Sequence, residues 1–165
     1  MKKNAKGFTL VELVAMMVVT SALFTGFLFS TTPLVNFWTY QRFYQGAGLE
    51  AKLAVMRMGR ELGQIQNLTG VTTASASTIT FRDSAGASIT YALSNGALQR
   101  NNRTMAEGIT GLQFLYWNEN HQAIAAPTVS PSNTNIRRIT VTVTAAGEGY
   151  TTTARTQVVP RNLVD

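Results

Sequence analysis

Cysteine does not occur in the 165 residues, which excludes disulfide staples, Cys-ligated zinc and thiol nucleophiles. Histidine occurs once, at His121, in a polar stretch where it reads as a solvated side chain rather than a base or ligand. Charge is scarce, at 13% of residues, and the acids beyond residue 63 (Asp83, Glu107, Glu119, Glu148, Asp165) are scattered, with neither a carboxylate pair nor the spacing of a metal loop. Gly46-x-Gly48 lacks the further glycine of a phosphate-binding loop and lies in helical sequence. Arg137-Arg138 reads as a solvated pair at a strand start. No enzyme activity, cofactor or metal is expected from such a set.

The formal charge of +6 is concentrated at one end. Setting aside Lys2, Lys3 and Lys6 leaves +3, an ordinary surface, so nucleic acid is not an expected partner. A composition that is 45% hydrophobic is too apolar for disorder, and the length allows one compact domain with an appendage.

What the sequence does have is a long apolar run. Phe8 to Phe29 is 22 residues with one charge, Glu12. As a helix it extends about 33 Å, enough to cross a hydrocarbon core of roughly 30 Å. The lysines before it hold that end in the cytoplasm and send the rest outward. An ordinary secretory signal peptide also has a basic start and an apolar stretch, but needs a shorter run and a small-x-small cleavage site. No Ala-x-Ala follows here, and Pro33 comes after Ser30-Thr31-Thr32. A carboxylate within a membrane helix costs roughly 2.5–3.5 kcal/mol on insertion scales, so Glu12 asks for a purpose. A tolerated residue near the interface would account for Glu12 alone, though not for the string around it.

That string, Lys6-Gly7-Phe8-Thr9-Leu10-Val11-Glu12-Leu13, resembles the signal of type IV prepilins and type II secretion pseudopilins. The resemblance covers about 25 residues. It implies a basic leader, residues 1–7, cut after Gly7 by a membrane prepilin peptidase that also N-methylates Phe8. Glu12 then becomes the fifth residue of the mature chain. Its buried carboxylate would pair with the Phe8 amine of a neighbouring subunit, relieving two desolvated charges together and fixing axial register. Small residues such as Ala15, Ser21, Ala22 and Gly26 would aid helix packing.

Beyond the membrane segment (8–29), a helical continuation is expected over 30–65. Pro33 predicts a kink. Phe37, Trp38, Tyr40, Phe43 and Tyr44 form an aromatic cluster of the kind found at a membrane surface. Ala51, Val55, Met58, Leu62 and Ile65 share one helix face. Leu49, Leu53 and Met56 fall nearly opposite, and Glu50, Arg57, Glu61 and Gln64 line a flank. Two apolar sides call for two partners, the protein's own sheet and a neighbouring subunit, unless the helix is buried within one domain. Gly46, Gly48, Gly59 and Gly63 mark places for a bend or local melting.

From Ser75 the period becomes two, giving a globular antiparallel β domain over 66–165. Strands are expected at 77–82, 88–93 and 97–101, the last two joined through Asn95-Gly96. Ile109 to Trp117, Ile136 to Thr144 and Thr151 to Val159 follow, the last pair joined across Gly147-Glu148-Gly149. A polar loop over 118–135 is long enough to be an exposed functional feature. The fold class is therefore α+β, pilin-like: a long N-terminal helix, transmembrane in its first half, packed on an antiparallel β-sheet.

The C-terminal strands and the ending Val158-Val159-Pro160-Arg161-Asn162-Leu163 resemble W-type minor pilins and J-type pseudopilins. The implied role is a minor pilin or pseudopilin that helps initiate or cap a type IV pilus or type II secretion pseudopilus. The alternative is a tip subunit contacting a surface, exoprotein or DNA. Implied partners are other pilin or pseudopilin subunits, the prepilin peptidase/N-methyltransferase, an inner-membrane assembly platform and the membrane. The implied location is the inner membrane, single-pass, with the C-terminal domain in the periplasm, and then the filament.

Overall fold

The computed structural model describes residues 7, 9–67, 69–128 and 136–163. The leader residues 1–6, Phe8 and the 129–135 part of the polar loop lie outside the described residues. Contacts divide the chain into two compact units, one ending at Gln41 and one starting at Arg42.

Helix α1 (Leu10–Phe43) is apolar on all sides, and every described side chain from Thr9 to Ser30 is exposed. Its hydroxyls fold back onto its own carbonyls: Thr20 donates to Met16, Ser21 to Val18, Thr25 to Ser21, Thr31 and Thr32 to Leu28, and Thr39 to Val35, all within 3.1 Å. A helix that satisfies its own polar side chains in this way suits a medium without water. The helix assignment runs unbroken through Pro33. The break falls later, in a π turn (Tyr44–Gly48) where Gly46 leaves helical geometry at φ −86°, ψ −110°. Two glycines within three residues make that departure cheap.

Helix α2 (Leu49–Leu62) buries Ala51, Val55, Met58 and Leu62, each at most 4% exposed, as the 4-3-4 spacing requires. Gly63 ends it, donating its N–H to the Gly59 carbonyl at 3.1 Å. Gly59 itself stays helical.

The strands form two antiparallel sheets rather than one. The first has the order β1 (Val71–Ala74), β2 (Thr78–Arg82), β3 (Ser88–Ser94), β4 (Ala97–Arg100), β5 (Arg103–Glu107). The second has the order β7 (Ala123–Ile124), β6 (Ile109–Trp117), β8 (Arg138–Gly147), β9 (Tyr150–Val158). The chain passes from one sheet to the other at Gly108, whose φ of 67° suits glycine, and where an added Cβ would stand 3.0 Å from the Ala47 Cβ. The expected Asn95-Gly96 hairpin is present, with positive φ at both residues and Ser94 opposite Ala97. Glu148-Gly149, also both at positive φ, closes β8 onto β9 with Gly147 opposite Tyr150.

Alternate strand residues fill one core: Ile79 and Phe81, Ile89 and Tyr91, Phe114 and Tyr116, Ile139, Val141 and Val143, all 0–2% exposed. Each contributes about 1.5–3 kcal/mol by leaving water. Helix α2 packs its buried face on β8 and β9, so the chain is an α+β protein with a long N-terminal helical run laid, in its second part, on antiparallel sheet.

Candidate processing and assembly site

Gly7 is exposed, and a Cβ built on it would meet nothing within 4 Å. Phe8, the expected new N-terminus and methylation site, lies outside the described residues. Thr9 stands at the N-cap of α1. The Glu12 N–H donates to Thr9 Oγ1 at 3.3 Å and the Thr9 N–H to Glu12 Oε2 at 3.5 Å, a reciprocal capping box. The motif was legible as Thr9-Leu10-Val11-Glu12, a T-x-x-E before an apolar run, and it gives Glu12 a local role that membrane arguments overlook. Both contacts are long, so the carboxylate keeps most of its capacity for a stronger donor.

Among the described residues, one helical run is long and apolar enough to cross a membrane, the run from Leu10 onward. Its exposed Phe24, Phe27 and Trp38, each more than 60% exposed, are far more apolar surface than an isolated chain in water carries. The aromatic cluster after Pro33 divides. Phe37, Trp38, Tyr40 and Tyr44 are exposed, whereas Phe43 is buried and stacks on Tyr150 with ring centroids 6.3 Å apart. Phe43 therefore belongs to the domain core, not to a surface belt.

The outward side of α2 matches the expectation of a second apolar face, with Leu49, Leu53 and Met56 46–58% exposed. Two acids of the flank bond to the first sheet. Glu50 accepts the Glu107 N–H at 2.8 Å, capping the outer strand β5. Glu61 accepts from Tyr91 Oη at 2.7 Å and Arg100 Nε at 2.8 Å on one oxygen, and from Arg57 Nε at 2.9 Å on the other. Burial alone would raise the Glu61 carboxyl, but hydrogen bonds from Arg100, Tyr91 and Arg57 and the Arg100 charge outweigh it and hold it below its ordinary range. The same burial and the Glu61 oxygen push the Tyr91 hydroxyl well up. This polar clamp fastens α2 to the first sheet. The sequence offered only the Arg57–Glu61 spacing as a hint, because Tyr91 and Arg100 are 30 and 39 residues away.

The polar loop holds His121 at φ 60° in a turn, its Nδ1 3.2 Å from Arg138 Nη2. Arg137 is less solvated than a strand-start pair suggests: its Nη2 lies 3.9 Å from Glu119 and its Nη1 is buried. Among the described residues, no three His, Asp or Glu side chains gather in a metal-binding group. No protein-family model and no curated protein matches the chain.

Proposed function

We propose that the chain is a minor pilin or pseudopilin, a structural subunit inserted in the inner membrane by α1, cut after Gly7, and built into a short filament through that helix. The observation that carries the reading is a helix apolar all round, entered through Gly7-Phe8-Thr9 with a single carboxylate, Glu12, in its first turn. In a bilayer the lone subunit keeps Glu12 in a weak cap with Thr9. A neighbour's free Phe8 amine is a charged donor that offers the same carboxylate a stronger bond, so assembly improves on the isolated state. The outward apolar face of α2 extends the packing surface beyond the membrane. Its partners in this reading are sister subunits, a prepilin peptidase/N-methyltransferase and an inner-membrane assembly platform, with no catalytic role of its own.

Intact-mass analysis of natively produced protein tests the reading. The expected product starts at Phe8, has 158 of the 165 residues and carries one N-methyl group. Material that retains Met1, or starts beyond Ser30, would overturn it. Gly7→Val should block cutting while leaving the fold unchanged, since there is open space around Gly7 and only a protease cleft would feel the branch.

A further inference from the structure

Among the strand edges, β9 differs from the rest. Edge strand β5 is five residues long, carries Arg103 and Glu107 and gives its Glu107 N–H to the Glu50 carboxylate, β1 is short and bulged and has the Thr128 N–H on its Ala74 carbonyl, and β7 is two residues long. Strand β9 runs nine residues, about 30 Å, with no proline and one charge, Arg155, and its register with β8 has no bulge. Natural proteins usually shorten, bulge or cover such an edge. Its two-residue turn closes on Gly147–Tyr150, so ladder alternation turns the N–H and C=O groups of Thr151, Thr153, Arg155 and Gln157 away from β8. Among the described residues, no backbone hydrogen bond from another element reaches them.

Beside this edge runs a groove between α2 and β9, with a cavity of about 310 Å³ lined by Lys52, Val55, Met56 and Thr152–Thr156. It continues past Gly59 to Arg60, and beyond that to Arg161. The helix side is low because Gly48 and Gly59 face the Thr152 and Thr156 methyls. The lining side chains carry Lys52, Arg60 and Arg161 and no carboxylate, while Arg155, at an alternate position of β9, projects from the opposite face of the sheet. Among the described residues none of these cations has an ion pair.

We propose that the β9 edge receives an extended acidic strand from a partner protein, which continues the second sheet and lays its side chains into the α2–β9 groove. Backbone pairing at the four outward residues supplies the affinity. Carboxylates facing Lys52 and Arg60 supply the choice of partner, and Met56, between those two on the helix, receives an apolar side chain. A second copy of this chain is the wrong occupant, because it brings the same cations to the seam and no acid from the groove. The inference rests on the second unit alone and stands whether or not the chain enters a filament.

The test uses the full chain in detergent micelles with a capped nine-residue peptide that has glutamate, valine and glutamate at successive alternate positions, so that they share one strand face, and threonine elsewhere. Amide exchange at Thr151, Thr153, Arg155 and Gln157 should slow about tenfold on saturation, with Thr152, Ala154 and Thr156 unchanged. The same peptide with lysine for glutamate should give no slowing. Lys52→Glu with Arg60→Glu should weaken binding about tenfold at low salt, an effect that fades at high salt. Thr153→Pro removes one outward donor without touching the β8 ladder, so it should abolish protection with the near-ultraviolet spectrum intact. Absence of slowing at millimolar peptide, or equal slowing by the lysine peptide, overturns the proposal. Protection that grows with protein concentration in the absence of peptide identifies a second copy as occupant and overturns it equally.

Discussion

Replacing Glu61 by glutamine keeps the side chain's shape and removes the charge that three donors share. Two of those bonds, from Tyr91 at 2.7 Å and Arg100 at 2.8 Å, sit in a largely shielded place, with the Glu61 side chain only 17% exposed. Hydrogen bonds to a charged group contribute about 1.5–3 kcal/mol each when shielded. The Arg57 pair is half exposed and is worth about 0.3–0.5 kcal/mol, as for other pairs one helical turn apart. Glutamine can set its amide oxygen in the place of the one that Tyr91 and Arg100 share and accept from both, but as a neutral acceptor, and its NH2 then faces the Arg57 donor. The expected loss is about 2 kcal/mol, or a fall in Tm of roughly 8 °C for a unit of this size. Thermal unfolding followed by Trp117 fluorescence in a Trp38→Phe background measures it, with Arg57→Ala as a control expected to lose less than about 0.5 kcal/mol. A Glu61→Gln loss no larger than the control's would refute the clamp. The pH dependence gives a second check. A carboxyl held below its ordinary 4.5 in the folded state stabilises at higher pH, and that stabilisation disappears as pH falls through the lowered value. The wild type should lose this part of its stability on acidification, and Glu61→Gln should lack it.

A chain starting at Leu34 should be a folded, soluble monomer by circular dichroism and gel filtration. Starting at Tyr44 should cost about 3 kcal/mol more, because Phe43 leaves its place against Tyr150. Glu12→Gln should leave insertion and cleavage intact while sharply reducing incorporation into filaments. Cross-linking between cysteines placed near residue 12 and near a sister's N-terminus would read the pairing, and equal yields in both chains would refute it. Thr9→Val breaks only the cap and should reduce incorporation far less. Tyr116→Phe removes a 2.8 Å bond to the Ser75 carbonyl and should cost about 1 kcal/mol by denaturant titration. Burial raises the Tyr116 hydroxyl, so its contribution is complete below pH 10.0 and erodes as the unfolded chain ionises above that; Tyr116→Phe should lack that alkaline component.

Local periodicity made most of the second unit readable. The strands around Phe81, Tyr91 and Phe114 lie where their alternation places them, because one face is buried and the register has no freedom to slip. β5 escaped because Arg103–Glu107 carries only Ala106 in the core, and β1 because its bulge between Val71 and Thr73 spoils a period of two. The division into two sheets turns on Gly108, and a single glycine between two strands looks like any turn until Ala47 is known to lie against it. Of the glycines that marked places for a bend, Gly46 is where the chain leaves helical geometry, since backbone freedom decides where a helix departs from it, and the helix continues through Pro33. The Glu61 clamp joins residues far apart in the chain, and no pattern along a sequence announces such a meeting. At the candidate processing site, Gly7 and Glu12 were legible as a motif, and the Thr9 cap was equally visible but overlooked.

The π turn at Tyr44–Gly48 also has a mechanical meaning. Load applied along α1 reaches the sheets through Phe43 and then through these five residues, whose helical geometry is already interrupted at Gly46. Once the Phe43 ring is drawn from Tyr150, and Ala47 and Gly48 from Gly108 and Thr152, the turn can straighten from about 1.5 to about 3.4 Å per residue, a gain of about 10 Å. The protein thus contains a short extensible element in series with a stiff sheet. Single-molecule stretching should register it as a small early lengthening, and a Gly46→Ala chain, whose added Cβ would meet nothing within 4 Å, should yield at higher force.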